Sequence, residues 1–190
     1  MKTTNAYKTL SPVLQTKIVM LGTCLGSKPI NGIVNGNQLI SINSTGNRSL
    51  VYTLINQNVI LKILNIPADQ DVEALLLFGG EKFFPNLYAH GTTKDGNTYL
   101  FMEKAQGAPL SQIQPLSPSD SEKIKKQFNQ AIDIMLKVKR CDNDLKAEHL
   151  FWDTTNKHLT WIDFSLCDKV PSEFTEESKF GLREVLTRIL

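Results

Sequence analysis

The sequence has little cysteine, little net charge and no long apolar run. Its three cysteines, Cys24, Cys141 and Cys167, are odd in number and widely spaced, so they support neither a disulfide framework nor a zinc site and favour a reducing compartment. The formal net charge of +2 gives no reason to expect a nucleic-acid partner. No segment approaches the length of a membrane span, and the apolar run at 17–22 is too short and too late for a signal-peptide core.

The first part of the chain lacks a recognisable pattern. Residues 22–28 superficially suggest a phosphate loop but lack the Walker spacing G-x-x-x-x-G-K-[ST]. Residues 12–38 alternate short apolar pieces with Gly, Asn and Pro, so we expect irregular structure with at most one strand. Residues 1–38 are therefore interpreted as an N-terminal extension.

Three β-prone runs joined by tight turns predict an antiparallel meander over residues 39–64. Lys62 lies in the third run, flanked by branched aliphatic residues. Strand alternation places it on the face opposite Leu61 and Ile63, so its ammonium is expected in a partly buried cleft. Phosphate oxygens and a carboxylate would satisfy it there. The competing interpretation is an edge-strand lysine that points to water.

A helix is predicted over residues 72–78, because acidic residues precede the apolar run and Gly79-Gly80 follows it. Glu73 is the only carboxylate inside that run. The family resemblance described below implies that a carboxylate of this helix pairs with Lys62, and Glu73 is assigned that role. A glutamate that faces solvent is the alternative.

Strands are predicted next, over residues 87–91 and 98–103. A long helix then begins at a capping box formed by Ser119 and Glu122. Apolar residues at helical spacing predict its buried stripe: Ile124, Phe128, Ala131, Ile132, Met135 and Val138. A solvated face is expected for the basic residues Lys123, Lys125, Lys126, Lys137, Lys139 and Arg140. A last helix is predicted over 176–190. The side chains expected to face the core are Phe180, Leu182, Val185, Leu186 and Leu190.

Residues 144–165 carry the most informative pattern. Asp144-Leu145-Lys146 is followed by an apolar strand, a polar turn at 153–157, a second apolar strand and then Asp163-Phe164-Ser165. This order predicts a β-hairpin that holds Asp144 and Asp163 at its opposite ends.

The pattern resembles the protein-kinase signature, in which a D-L-K-x-x-N catalytic loop precedes a D-F-G metal loop. Here His149 stands at the asparagine position and Ser165 at the glycine. Val59-Ile60-Leu61-Lys62 resembles the V-A-I-K strand of the same family. The resemblance implies an α+β, minimal bilobal kinase-like fold. Its N-lobe, an antiparallel sheet with one helix, would span 39–104, and a truncated, mainly helical C-lobe would span 105–190.

The resemblance also implies roles for single residues. Asp144 would orient or deprotonate an acceptor hydroxyl, and Lys146 would contact the γ-phosphate of ATP. Asp163 and His149 would hold Mg²⁺, or Mn²⁺ because an imidazole suits that ion better. Residues 43–46 stand at the glycine-rich loop, where Gly46 alone matches. The implied nucleotide contacts are Lys62, Glu73, Asn43, Ser44, Thr45, Gly46, the gatekeeper Met102, Glu103 and Ala105.

The short C-lobe resembles the kinases delivered by bacterial type III secretion, including the Shigella and enteropathogenic effector family. The shared features are a G-x-P-L-S-x-I run at 107–113 and I-D-F at 162–164. This implies a Ser/Thr protein kinase and virulence effector, made in the bacterial cytoplasm and secreted into a host cell. A host protein would be its substrate and also its activator. The alternatives are a pseudokinase that acts as a protein-binding module, a small-molecule or sugar kinase, and a non-kinase α+β binding domain.

Overall fold

The computed structural model describes residues 1–28, 39–42, 49–54, 56–64 and 69–190. Within these ranges the chain forms two compact units. The first comprises Met1–Val72 and Asn86–Lys104, and the second Glu73–Pro85 and Ala105–Leu190. Helices and strands are combined in an α+β architecture, as predicted. None of the described helices is long and apolar enough to cross a bilayer.

The first unit is built on a six-stranded antiparallel sheet with the strand order β1-β5-β6-β4-β3-β2. Its strands are β1 (Lys2–Thr3), β2 (Leu39–Ile42), β3 (Ser49–Leu54), β4 (Val59–Leu64), β5 (Leu87–Thr92) and β6 (Thr98–Glu103). The predicted meander is confirmed, because β3 pairs with β2 on one side and with β4 on the other. β4 lies inside the sheet between β3 and β6, which excludes an edge position for Lys62.

The prediction of irregular structure after residue 12 is wrong, because the segment forms a helix, α1 (Pro12–Ser27). The Ser11 hydroxyl caps it by accepting a hydrogen bond from the Leu14 N–H, and Pro12 occupies its first turn. One helical face packs into the core of the sheet through Leu14, Ile18, Leu21 and Leu25. The start of the chain is therefore part of the first unit and not an extension from it, while residues 29–38 lie outside the described residues.

The predicted acidic start and glycine end delimit α2 (Asp69–Phe78). The Gly79 N–H donates to the Leu75 carbonyl, and a Cβ at Gly79 would lie 2.3 Å from that oxygen. A side chain is thus excluded where the helix ends. Asp71, Leu75 and Phe78 are buried at helical spacing, which defines the inner face of α2.

The second unit contains two longer helices, α3 (Pro118–Lys137) and α4 (Thr175–Ile189). The predicted hairpin is present, formed by β9 (Leu150–Asp153) and β10 (His158–Trp161). The remaining strands are β7 (Ala108–Pro109), which adds to β9, and β8 (Arg140–Asp142), which pairs with β11 (Cys167–Lys169). β11 lies between residue 165 and the last predicted helix, where no strand is predicted from the sequence.

For α3, the predicted buried residues are largely confirmed, but the predicted N-cap residue is wrong. Ser117, not Ser119, is the N-cap, and its hydroxyl accepts a hydrogen bond from the Asp120 N–H at 3.0 Å. Ile124, Phe128, Ala131, Ile132 and Met135 are fully buried as predicted. Leu136 is buried in addition, and Val138 is half-buried.

Two side chains near these helices contradict the prediction. Arg140, expected on a solvated face, is buried, because it begins strand β8 after the helix has ended. Phe180, expected inward, is 65% exposed. In α4 the buried positions are Leu182 and Leu186, which lie four residues apart on one face.

Candidate functional site

In the first unit, Lys62 and Asp71 form a buried ion pair. The Lys62 Nζ lies 2.8 Å from Asp71 Oδ2, and the two side chains are 8% and 2% exposed. β4 presents Lys62 on the face opposite Leu61 and Ile63, which belong to the core that α1 covers. The predicted burial of the lysine is confirmed, and the first turn of α2 supplies its carboxylate.

The predicted pairing of Lys62 with Glu73 is wrong. Glu73 Oε2 lies 2.6 Å from Arg140 Nη2. Helical geometry explains the difference, because Asp71 lies on the inner face of α2 whereas Glu73 shares a side with the exposed Leu76. Glu73 therefore stabilises the second unit through Arg140.

The implied nucleotide contacts Met102, Glu103 and Ala105 lie at the end of β6 and just after it. Met102 is buried and pairs with Ile60 of β4. The Glu103 N–H donates to the Asn86 carbonyl at 2.8 Å, and the Glu103 carboxylate accepts from the Asn86 side chain at 2.7 Å. In the second unit, the Ala105 N–H donates no hydrogen bond to a described residue, so a ligand could accept one from it. Outside the described residues lie Asn43, Ser44, Thr45 and Gly46.

In the second unit, Asp144 and Lys146 form an ion pair at the surface. Their Nζ–Oδ2 distance is 2.8 Å, and the lysine and aspartate side chains are 49% and 32% exposed. The hydrogen bond to Asp144 raises the pKa of Lys146. Both side chains are within reach of a ligand from solvent.

The hairpin brings Asp163 and His149 together. The Ile162 N–H donates to the His149 carbonyl at 2.9 Å, and His149 Nε2 lies 3.8 Å from Asp163 Oδ2. Asp163 has a φ of 66°, a left-handed conformation that aspartate tolerates better than most residues. Such strain is typical of functional loops. The buried Nδ1 of His149 has no hydrogen-bond partner among the described residues.

The donors near Asp163 fit a divalent ion that takes its other ligands from phosphate and water. No group of three His, Cys, Asp or Glu side chains in the described part of the chain could hold a metal. One carboxylate with one imidazole is nevertheless compatible with Mg²⁺ or Mn²⁺, since Mg²⁺ commonly binds one or two carboxylates together with substrate phosphates. The imidazole shifts the preference towards Mn²⁺.

Phe164 anchors the loop that carries Asp163. Its ring is fully buried. The ring centroid lies 5.0 Å from that of Phe78 and 5.8 Å from that of Phe84, both in edge-on geometry. Phe78 and Phe84 also contact each other at 4.5 Å. Such aromatic contacts add to the apolar burial and hold the backbone next to Asp163.

Sequence reasoning missed Asp142 as a functional candidate. Asp142 is buried and accepts two hydrogen bonds, from the Asp144 N–H and from Trp161 Nε1, each at 3.0 Å. Burial raises the pKa of Asp142 to about 6, against the opposite effect of these two bonds. The available signal was a second acidic residue two positions before Asp144.

The fold was compared with known proteins. No family model and no curated protein matches the sequence. The structure is similar to that of the Cydia pomonella granulovirus kinase PK-1, with a TM-score of 0.58 and 18% identity over 74% of this chain. This chain has a protein-kinase-like fold. It covers 58% of the viral kinase, and the similarity supports the kinase-like part of the sequence resemblance but not the effector family.

Proposed function

We propose that this protein is an ATP-dependent phosphotransferase that acts on protein Ser/Thr hydroxyls. The observation that carries the proposal is the buried Lys62–Asp71 pair. A buried ion pair contributes little to stability compared with apolar packing, so its presence in a kinase-like fold is better explained by a ligand that needs the lysine. Phosphate oxygens are the ligands that a buried ammonium on this strand would bind.

The remaining residues divide the chemistry of phosphoryl transfer between them. Asp144 orients the acceptor hydroxyl and takes up its proton, while Lys146 places a positive charge beside the group that is transferred. Asp163 and His149 hold the divalent ion. Bound ATP and its metal ion would supply the phosphoryl group and the charge that neutralises it.

Transfer of radiolabel from ATP tests this proposal, with Mg²⁺ and Mn²⁺ compared. Asp163→Asn is the informative variant, since asparagine also tolerates the left-handed backbone at this position. We expect it to lose at least a hundredfold in labelling. Asp133→Asn, an exposed aspartate of α3, is the matched control and is expected to keep full activity. Equal labelling by wild type and Asp163→Asn would refute phosphotransfer.

The identity of the metal has its own test. His149→Gln exchanges the Nε2 ligand for an amide group of similar reach, so we expect relative affinity to move from Mn²⁺ towards Mg²⁺. Titration of each ion in the presence of a non-hydrolysable ATP analogue measures this directly. An unchanged Mn²⁺/Mg²⁺ ratio would show that His149 does not bind the ion.

A second candidate is a pseudokinase that binds a protein partner. It is favoured by His149 and by the lack of a three-residue metal cluster in the described ranges. Its mark would be stabilisation by ATP in a thermal-shift titration without any transfer of label. A sugar or small-molecule kinase would instead label those acceptors in preference to protein.

The finer proposal is that the substrate is a host protein that also activates the enzyme after its secretion from a bacterium. It rests on the motif resemblance, with Lys146 typical of Ser/Thr kinases. Labelling of host-cell lysate, with bacterial lysate as the control, tests it. A substrate that also activates would raise autophosphorylation when added in purified form, and no such increase would remove the activator role.

A further inference from the structure

The second unit contains a buried carboxylate to which the proposed function gives no catalytic or binding role. Asp142, at the end of β8, is 1% exposed. Its Oδ1 accepts from the backbone N–H of Asp144 at 3.0 Å, and its Oδ2 accepts from Trp161 Nε1–H, also at 3.0 Å. Both donors are uncharged groups, so each carboxylate oxygen is used as a hydrogen-bond acceptor for a particular atom.

The first of these bonds fixes the backbone of the catalytic loop. A side-chain oxygen that accepts from the N–H two residues later closes an Asx turn, which restrains the peptide units between the two residues. Here the restrained residue is Asp144 itself. Two further bonds hold the adjacent Asn143, because its N–H donates to the Leu166 carbonyl and its side chain donates to Asp168.

The second bond joins Asp142 to a rigid part of the unit. Trp161 is fully buried and stacks on Phe128 of α3, with ring centroids 4.8 Å apart. Its backbone N–H donates to the Phe83 carbonyl at 2.8 Å. Trp161 also lies two residues before Asp163. The Asp142 carboxylate therefore connects, through its two hydrogen bonds, the loop of Asp144 to the strand that leads to Asp163.

We propose that Asp142 is a positioning residue, which sets the backbone of Asp144 relative to the Trp161 strand through the two oxygens of one carboxylate. The proposal rests on the phosphotransferase function proposed above. Asp142 is too deeply buried to touch a substrate, so its effect must pass through Asp144. A neutral amide cannot replace it, because asparagine has one oxygen and its NH₂ group would face one of the two donors.

The test uses the full chain and combines amide hydrogen exchange with kinetics. We expect Asp142→Asn to speed exchange at the Asp144 amide at least tenfold and to lower kcat at least tenfold, with KM for ATP within twofold of wild type. Trp161→Phe keeps an aromatic ring on Phe128 but removes the Nε1 donor, and it should give a smaller change of the same kind. The double variant should equal the larger single effect, since both act through one network.

The matched control is Asp153→Asn. Asp153 also accepts from backbone N–H groups, those of Thr155 and Asn156, but on the exposed turn of the same hairpin. It should leave both exchange at Asp144 and kcat unchanged.

The proposal would be overturned if the Asp144 amide of Asp142→Asn exchanged at the wild-type rate. It would also be overturned if that amide exchanged faster while kcat stayed unchanged. If wild type shows no turnover, the proposed function fails, and the exchange measurement alone then decides whether Asp142 positions the loop. Trp161→Phe supplies that decision if Asp142→Asn does not fold.

Discussion

Two lysine–aspartate pairs in this protein have the same geometry and opposite surroundings. Lys62–Asp71 and Lys146–Asp144 both have an Nζ–Oδ2 distance of 2.8 Å. The first pair is almost completely removed from solvent, whereas about half of the Lys146 side chain and a third of the Asp144 side chain are exposed. Distance alone therefore says little about what either pair contributes.

The difference lies in what happens when one partner is removed. A charge in the interior loses its hydration, so the loss of its counter-ion is costly, on the order of 3–5 kcal/mol. Water and salt replace a partner at the surface, where a pair contributes at most about 1 kcal/mol. Removal of one partner should therefore cost much stability at the buried pair and little at the exposed pair.

The largest expected effect is the loss of Asp71. Asp71→Asn deprives the buried Lys62 of this carboxylate, and we expect the free energy of unfolding in urea to fall by about 3 kcal/mol. The double variant Lys62→Met/Asp71→Leu removes both charges and should recover most of that loss. A fall below 1 kcal/mol for Asp71→Asn would mean that the pair is not buried in solution.

Much of the fold is readable from the sequence, because local patterns and tertiary structure agree there. The meander, the hairpin and the stripe of α3 are examples. α1 was missed although Leu14, Ile18, Leu21 and Leu25 recur at helical spacing after a Ser11-Pro12 start. Its glycines and β-branched residues weaken the local helix signal, and packing on the sheet compensates for them.

Sequence motifs single out candidate site residues, whereas the partner of Lys62 depends on burial and was predicted wrongly. Asp144, Lys146 and Asp163 follow from D-L-K and D-F. The carboxylate beside Lys62 does not, since almost every position of α2 after Asp71 is apolar and no single face stands out in the sequence. Only packing shows that Asp71 is turned inward and Glu73 outward. Asp142 was missed for the same reason.

The second prediction concerns Asp142, a buried carboxylate that, unlike Asp71, pairs with no cation among the residues that the structure describes. Its pKa of about 6 exceeds the ordinary aspartate value of 3.8, so the folded state holds the proton more tightly than the unfolded state. The resulting stabilisation is present below pH 3.8 and lost as the pH rises through 6. Between pH 4 and 7, wild type should lose about 2 kcal/mol relative to Asp142→Asn. A constant difference between the two proteins would contradict this.

A smaller effect is expected for Glu73, whose pair with Arg140 is intermediate. The arginine side chain is 6% exposed and the glutamate 51%, and Arg140 also donates to the Cys167 carbonyl. Glu73→Gln should therefore cost roughly 1–2 kcal/mol of unfolding free energy. It should also leave nucleotide affinity near wild type, unlike Asp71→Asn. An equal loss of nucleotide binding in both variants would restore Glu73 as a partner of the nucleotide site.

The smallest change in stability, with a large change in activity, is expected at the exposed pair. Lys146→Met leaves Asp144 in contact with water, so we expect less than about 1 kcal/mol of lost stability, and less still in high salt. Phosphotransfer should fall at least a hundredfold, because the positive charge beside the transferred group is gone. Lys157→Met, which breaks another partly exposed pair with Asp120, is the control and should keep its activity. If the two variants retained equal activity, Lys146 would be a surface residue without a catalytic role. Lys146 and Lys62 would then differ only in how deeply each lysine is buried.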